Sequence, residues 1–164
     1  MSYLEVQYPL GKAAFYELLE AQLQIYTTSA PNPVSALANA AAVLEAALTC
    51  VNWIGFYLVS DGRLVLGPFQ GKPAVMEIGF GEGVCGHAWR ERKAQVVKDV
   101  HCFAGHIACD CMSSSELAVP VFGPDHEVLG VIDADSAQPA RFDEADAEGF
   151  AAIAKLLASY MNWK

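Results

Sequence analysis

SELAVPVFGPDHEVLGVIDADS, residues 115–136, decides the fold. Two apolar, β-branched runs flank the turn tripeptide Gly123-Pro124-Asp125, so the stretch reads as a β-hairpin. Side chains alternate along a strand, so Asp133 and Asp135 point to the same face. Two carboxylates side by side on an apolar strand are unfavourable unless both reach water or a cation lies between them. If the two runs pair around the turn, Glu116 falls at the same end of the sheet as Asp135. The trio then either lines the rim of a site or marks a strand end open to solvent.

The segments around the hairpin extend the same reading. NWIGFYLVS (52–60) is aromatic and β-branched, and Asp61-Gly62 turns it back into LVLGPFQ (64–70), a further hairpin. AVMEIGF (74–80) is expected to be a third strand and AQVVKD (94–99) a short one. Apolar residues at helical spacing, Phe15, Leu18, Leu19, Leu23 and Tyr26, predict a helix over 11–26. Asn32 and Pro33 are suited to start another through VSALANAAAVLEAAL. VCGHAWRERK (84–93) opens from a Gly-Glu-Gly loop, and FDEADAEGFAAIAKLLASYM (142–161) is an acidic-headed amphipathic helix. Short hairpins with helices around them predict an antiparallel sheet covered by helices, an α+β sandwich.

The bulk properties narrow the function. With 164 residues and 54% of them hydrophobic, the chain can build the core of one domain. A net charge of −9 argues against general nucleic-acid binding and against docking on an anionic membrane. MSYLEVQYPLGK has no basic start followed by an apolar run, and no apolar run reaches the ~20 residues needed to span a bilayer. Five cysteines, an odd number without a leader, favour thiols in a reducing cytoplasm over a disulfide framework. Cys50, at the edge of an apolar strand, is expected to be a buried structural residue.

Residues 99–113 form a long loop, and loops of about 15 residues in compact domains are usually functional. Within it, HCFAGHIACDC (101–111) concentrates His101, Cys102, His106, Cys109 and Cys111. A metal site is one reading, although Cys-x-Cys and His-x₂-Cys are not the usual paired knuckles of structural zinc. Redox catalysis is another, and it needs an activated cysteine plus a second that resolves its sulfenic acid. Cys85, just after Gly-Glu-Gly at a helix start, lies where amide groups and the helix dipole favour a thiolate. The histidines, His87 and His126 included, read most simply as loop, helix or solvated residues. On the strand at 52–60, Trp53, Gly55 and Tyr57 share a face, which makes either a ring-walled hollow or a close backbone approach in a packed core. Carboxylates favour an ammonium, and aromatic walls favour a methyl, a thioether or a cation. A small amino compound with a sulfur-bearing tail would satisfy both.

GEGVCG (81–86), DVHCFAGHIACD (99–110), SSSELAVPV (113–121) and GVIDADS (130–136) together resemble the free methionine-(R)-sulfoxide reductases, stand-alone GAF-domain enzymes. The resemblance extends to NWIGFYL (52–58), LGPFQGKPA (66–74) and RFDEAD (141–146), and covers the N-terminal helices more loosely. It implies a single GAF domain over residues 1–164, with a central antiparallel sheet of about six strands flanked by helices. It implies reduction of free L-methionine (R)-sulfoxide, with a thioredoxin-like dithiol as reductant and no cofactor or metal. Cys109 matches the catalytic cysteine and Cys85 its disulfide partner. Glu116, Asp133 and Asp135 match the substrate-binding and proton-donating carboxylates, and Trp53 and Tyr57 the aromatic wall. Many members carry a third cysteine where this chain has Val75, which makes Cys102 and Cys111 alternative resolving residues. GAF domains often form homodimers, and no decisive interface signature is visible. A non-catalytic GAF module that binds a small ligand, and a Cys/His metal-binding protein, are the competing readings.

Overall fold

The computed structural model describes residues 5–105, 107 and 112–161. Four helices, α1 (Lys12–Thr27), α2 (Pro33–Ala47), α3 (Gly83–Glu91) and α4 (Glu144–Leu157), surround six strands. The strands are β1 (Trp53–Ser60), β2 (Arg63–Gln70), β3 (Glu77–Ile78), β4 (Gln95–Val97), β5 (Ser115–Phe122) and β6 (Val128–Ser136). They form one antiparallel sheet in the order β3-β2-β1-β6-β5-β4. Both expected hairpins are present, and the long partnered strands β1 and β6 lie at the centre. No helix among the described residues is long and apolar enough to cross a membrane.

The sheet is buried on both faces, and alternation along the strands assigns residues to each. One face presents Ile54, Phe56, Leu117, Val119, Ile132 and Ala134 to α1, α2 and α4. The other presents Trp53, Tyr57, Ala118 and Val131 to α3 and the chain leading to it. The three-helix layer begins and ends as the chemistry of its caps requires. Asn32 Oδ1 accepts from the Ser35 amide at 2.9 Å, and Pro33 occupies the first turn of α2. Asp143 and Asp146 form a reciprocal capping box at the start of α4. Asp146, 1% exposed, also accepts from Tyr16 at 2.7 Å and pairs with Lys12 and Arg141, which ties α4 to α1.

Both strand prolines sit where no ladder hydrogen bond is required of them. β4 covers β5 only as far as Ala118, so Pro120 has no partner to donate to on that side. Pro68 lies where β2 carries an extra residue: Gly55 pairs with Phe69, but Tyr57 pairs with Leu66.

Two expectations need correction. The third strand shrinks from residues 74–80 to Glu77–Ile78. Its first half cannot pair because Pro73 precedes it and the Tyr57 hydroxyl takes the Val75 carbonyl at 2.8 Å. Cys50 is exposed in a left-handed backbone conformation, φ 61°, so it is part of a surface turn and not a core residue.

Candidate active site

Three adjacent strands assemble the site. Trp53 on β1 pairs with Asp135 on β6, which pairs with Glu116 on β5. One pleat further along, Gly55, Asp133 and Ala118 form the next row of the same face. The acidic trio is therefore not a solvated strand end. Asp133 and Asp135 are fully buried and Glu116 is 3% exposed, so the rim expected from the sequence is in fact a floor.

Helix α3 closes over this floor. Its start is shaped by glycine: Gly81 and Gly83 have φ of +78° and +58°, in the left-handed region that side chains disfavour. Glu82 folds back so that its carboxylate accepts from the Gly79 amide at 3.0 Å. The turn delivers Cys85 to the first turn of α3, 2% exposed, with its thiol 3.9 Å from Glu116 Oε1. Cys85, Glu116 and Asp133 place one ligand-type atom each within 4.8 Å of one another.

The electrostatics single out Glu116. Burial pushes Glu116 well above the usual glutamate range, and the neighbouring Asp135 charge pushes it further. Hydrogen bonds with Asp133 and Cys85 pull the other way without offsetting burial. Glu116 therefore holds its proton to higher pH than an ordinary glutamate.

The aromatic side of the site is a stacked array. The Trp53 indole lies over Phe69 (centroids 5.3 Å, interplanar 15°) and beside Tyr57 (6.1 Å, 25°). Gly55 makes this possible: a Cβ there would fall 2.4 Å from Phe69 Cβ and 2.6 Å from Trp53 Cη2. The hollow expected between Trp53 and Tyr57 is thus occupied by the Trp53 ring edge itself. Trp53 Nε1 donates to the Lys72 carbonyl at 3.0 Å, so its ring is fixed at the polar end as well. Phe69 and the Lys72 carbonyl are members of the array that strand alternation alone does not identify. The Gly67-Pro68 bulge that aligns Phe69 with Gly55 is the signal for them.

The loop at 99–113 leaves and returns beside the trio. The Val100 amide donates to the Ser114 carbonyl, and the Ser114 amide to the Ser136 carbonyl, at 2.9 and 2.7 Å. Ile107 packs on α3, its side chain 3.3 Å from where a Cβ on Gly83 would lie. His87 bonds through Nδ1 to the Gly83 carbonyl at 2.7 Å and sets its ring edge-on to Phe103, so it braces α3 against the loop. Cys102 is exposed, and its thiol donates to Asp99 at 3.4 Å. That hydrogen bond and the Asp99 charge hold its proton on, which makes it a weak nucleophile. His101 is exposed beside it, and His126 is exposed in the β5–β6 turn. His106, Cys109 and Cys111 lie outside the described residues.

Comparison with known proteins gives consistent results. The GAF domain family matches residues 35–162. The free methionine-R-sulfoxide reductase of Escherichia coli (strain K12) is 41% identical over 154 residues, covering 92% of this chain and 93% of that protein. The Saccharomyces cerevisiae protein of the same name is 40% identical over 151 residues, covering 86% and 84%. Among solved structures, the free methionine-R-sulfoxide reductase of Neisseria meningitidis, in complex with its substrate, superposes with a TM-score of 0.88. It is 42% identical, over 96% of this chain and 95% of that one.

Proposed function

The chain belongs to the GAF-domain family and, within it, to the free methionine-R-sulfoxide reductases; from this we propose that it reduces free L-methionine (R)-sulfoxide with Cys109 as nucleophile. The observation that carries the reading is the buried Glu116–Asp133–Asp135 floor beside the Trp53 array, where burial raises the proton affinity of Glu116. The relative solved with its substrate supports it through 42% identity over nearly the whole chain.

In the cycle, the Cys109 thiolate attacks the sulfoxide sulfur. Glu116 protonates the sulfoxide oxygen as the S–O bond of the substrate breaks. Methionine departs, and Cys109 carries the oxygen as a sulfenic acid. Asp133 and Asp135 receive the substrate ammonium, which a peptide-bound residue lacks; that makes the free amino acid the substrate. Trp53, backed by Phe69 and beside Tyr57, bounds the sulfur substituent. Cys85 then attacks the sulfenic sulfur, water leaves, and a disulfide forms. A thioredoxin-like dithiol reduces that bond and returns both thiols.

The exposed, Asp99-bonded Cys102 is a poorer resolving group than Cys85. The enzyme acts as one cytoplasmic domain without metal or cofactor. A homodimer is compatible with this scheme, but no step requires residues from a second copy.

The test is an NADPH-coupled assay with thioredoxin and thioredoxin reductase, run on each sulfoxide diastereomer. Turnover of the R form alone, lost in Cys109→Ser, is the expected result. Equal turnover of both forms, or activity surviving in Cys109→Ser, overturns the proposal.

A further inference from the structure

In the reductive step Glu116 gives up a proton, and it must regain one before the next turnover. It is buried, so bulk water does not reach it directly, but the Cys85 thiol lies 3.9 Å from its Oε1. Cys85 is itself buried, has to lose a proton to attack, and has Glu116 as the acidic group within hydrogen-bonding distance of its sulfur. We propose that Glu116 serves both halves of the cycle, as the acid that protonates the sulfoxide oxygen and then as the base that takes the proton of the resolving Cys85 thiol. This rests on the reading of Cys85 as the resolving cysteine.

The atoms and electrons balance. After sulfoxide reduction Glu116 is a carboxylate and Cys109 a sulfenic acid. The Cys85 proton passes to Glu116, and the Cys85 sulfur attacks the Cys109 sulfur. The S–OH bond breaks, and hydroxide leaves as water by taking a proton from solvent, which replaces the one lost when Cys109 first ionised. One S–S bond has formed, Cys109 has been reduced from sulfenic acid to disulfide, Cys85 has been oxidised, and Glu116 is again an acid. Burial of Cys85 also gives the reopening a direction. The external dithiol attacks Cys109, and a proton given up by that dithiol returns to the departing Cys85 thiolate, so Glu116 remains an acid for the next turnover.

This pairing suits the site's charge. A thiolate facing an ionised Glu116 across 3.9 Å in a buried site would be strongly disfavoured. Transfer of the proton between the two groups leaves a single negative charge on the pair, never two, from sulfoxide reduction until the disulfide closes. The early position of Cys85 in α3 then stabilises that charge when it resides on sulfur.

The experiment forms the Cys109 sulfenic acid with one equivalent of free methionine (R)-sulfoxide in the unmodified protein, which leaves Glu116 a carboxylate, and with hydrogen peroxide in Glu116→Gln, where sulfoxide reduction is impaired. Disulfide closure is then followed by quenching and thiol mass spectrometry across pH. In the unmodified protein, closure should become independent of pH well below the thiol range near 8.5. In Glu116→Gln, closure near neutral pH should slow by about a hundredfold, within the usual reach of a general base. It should recover as the pH rises through the thiol range, because Cys85 then ionises unaided. That recovery distinguishes a lost base from a misfolded site. A tenfold rise in rate per pH unit up to the thiol range, in the unmodified protein, overturns the proposal while leaving Cys85 as the resolving residue. Unchanged closure in Cys85→Ser removes Cys85 from the scheme and the proposal with it.

Discussion

Glu116 is the residue on which most of the proposed chemistry turns. Its raised proton affinity, caused first by burial and then by the Asp135 charge, gives the reductive step an alkaline limit. The value of kcat/KM should fall as pH rises through the Glu116 titration, and Glu116→Gln should lose about 10²–10⁴-fold, the usual worth of a general acid. The same shift also bears on stability. Unfolded, this glutamate loses its proton near 4.5; folded, it keeps it to higher pH. Above the unfolded value the folded state binds more protons, so stability falls as pH rises and is fully present only below that value. Glutamine does not ionise. Glu116→Gln should therefore raise the thermal midpoint at neutral pH by an amount that shrinks toward acid, with each pKa unit worth about 1.4 kcal/mol.

At the scale of elements, β1 and β2 meet so closely that one glycine sets the position of the indole. Gly55→Ala must displace either Phe69 or the Trp53 ring. The expected cost is about 1–3 kcal/mol in urea unfolding, together with a larger effect on KM than on kcat if, as proposed, Trp53 bounds the substrate and transfers no proton. Most elements were legible in the sequence for local reasons. Helices α1, α2 and α4 have helical spacing or strong caps, and the two hairpins have turn residues between β-branched runs. The misjudged features depend on distant partners. The strand expected at 74–80 lost its first half to a hydrogen bond from Tyr57, and Cys50 lies in a turn whose carbonyl is claimed by the Ser136 hydroxyl. The shared face of Asp133 and Asp135 followed from alternation. Their burial did not, because it is α3, from another part of the chain, that covers them.

At the scale of the molecule, the sheet divides the labour. The face toward α1, α2 and α4 supplies a wide apolar core, and the face toward α3 holds the charged site that burial makes costly. The core side depends on one buried anion. Asp146 receives Tyr16, Lys12 and Arg141 and closes the capping box of α4. Asp146→Ala leaves these donors without their common acceptor and should cost about 3–5 kcal/mol in denaturant unfolding, as loss of one partner of a buried ion pair does. The floor of the active site is on the opposite face, so protein that remains folded should keep its KM for the sulfoxide.

The central claim is that oxidation at Cys109 is resolved by Cys85. Reduced protein given one equivalent of free methionine (R)-sulfoxide, without any reductant, should yield one methionine per chain. Peptide mass mapping of that protein should then find a Cys85–Cys109 disulfide. A disulfide joining Cys109 to Cys102 or Cys111, with Cys85 still a thiol, would contradict the account.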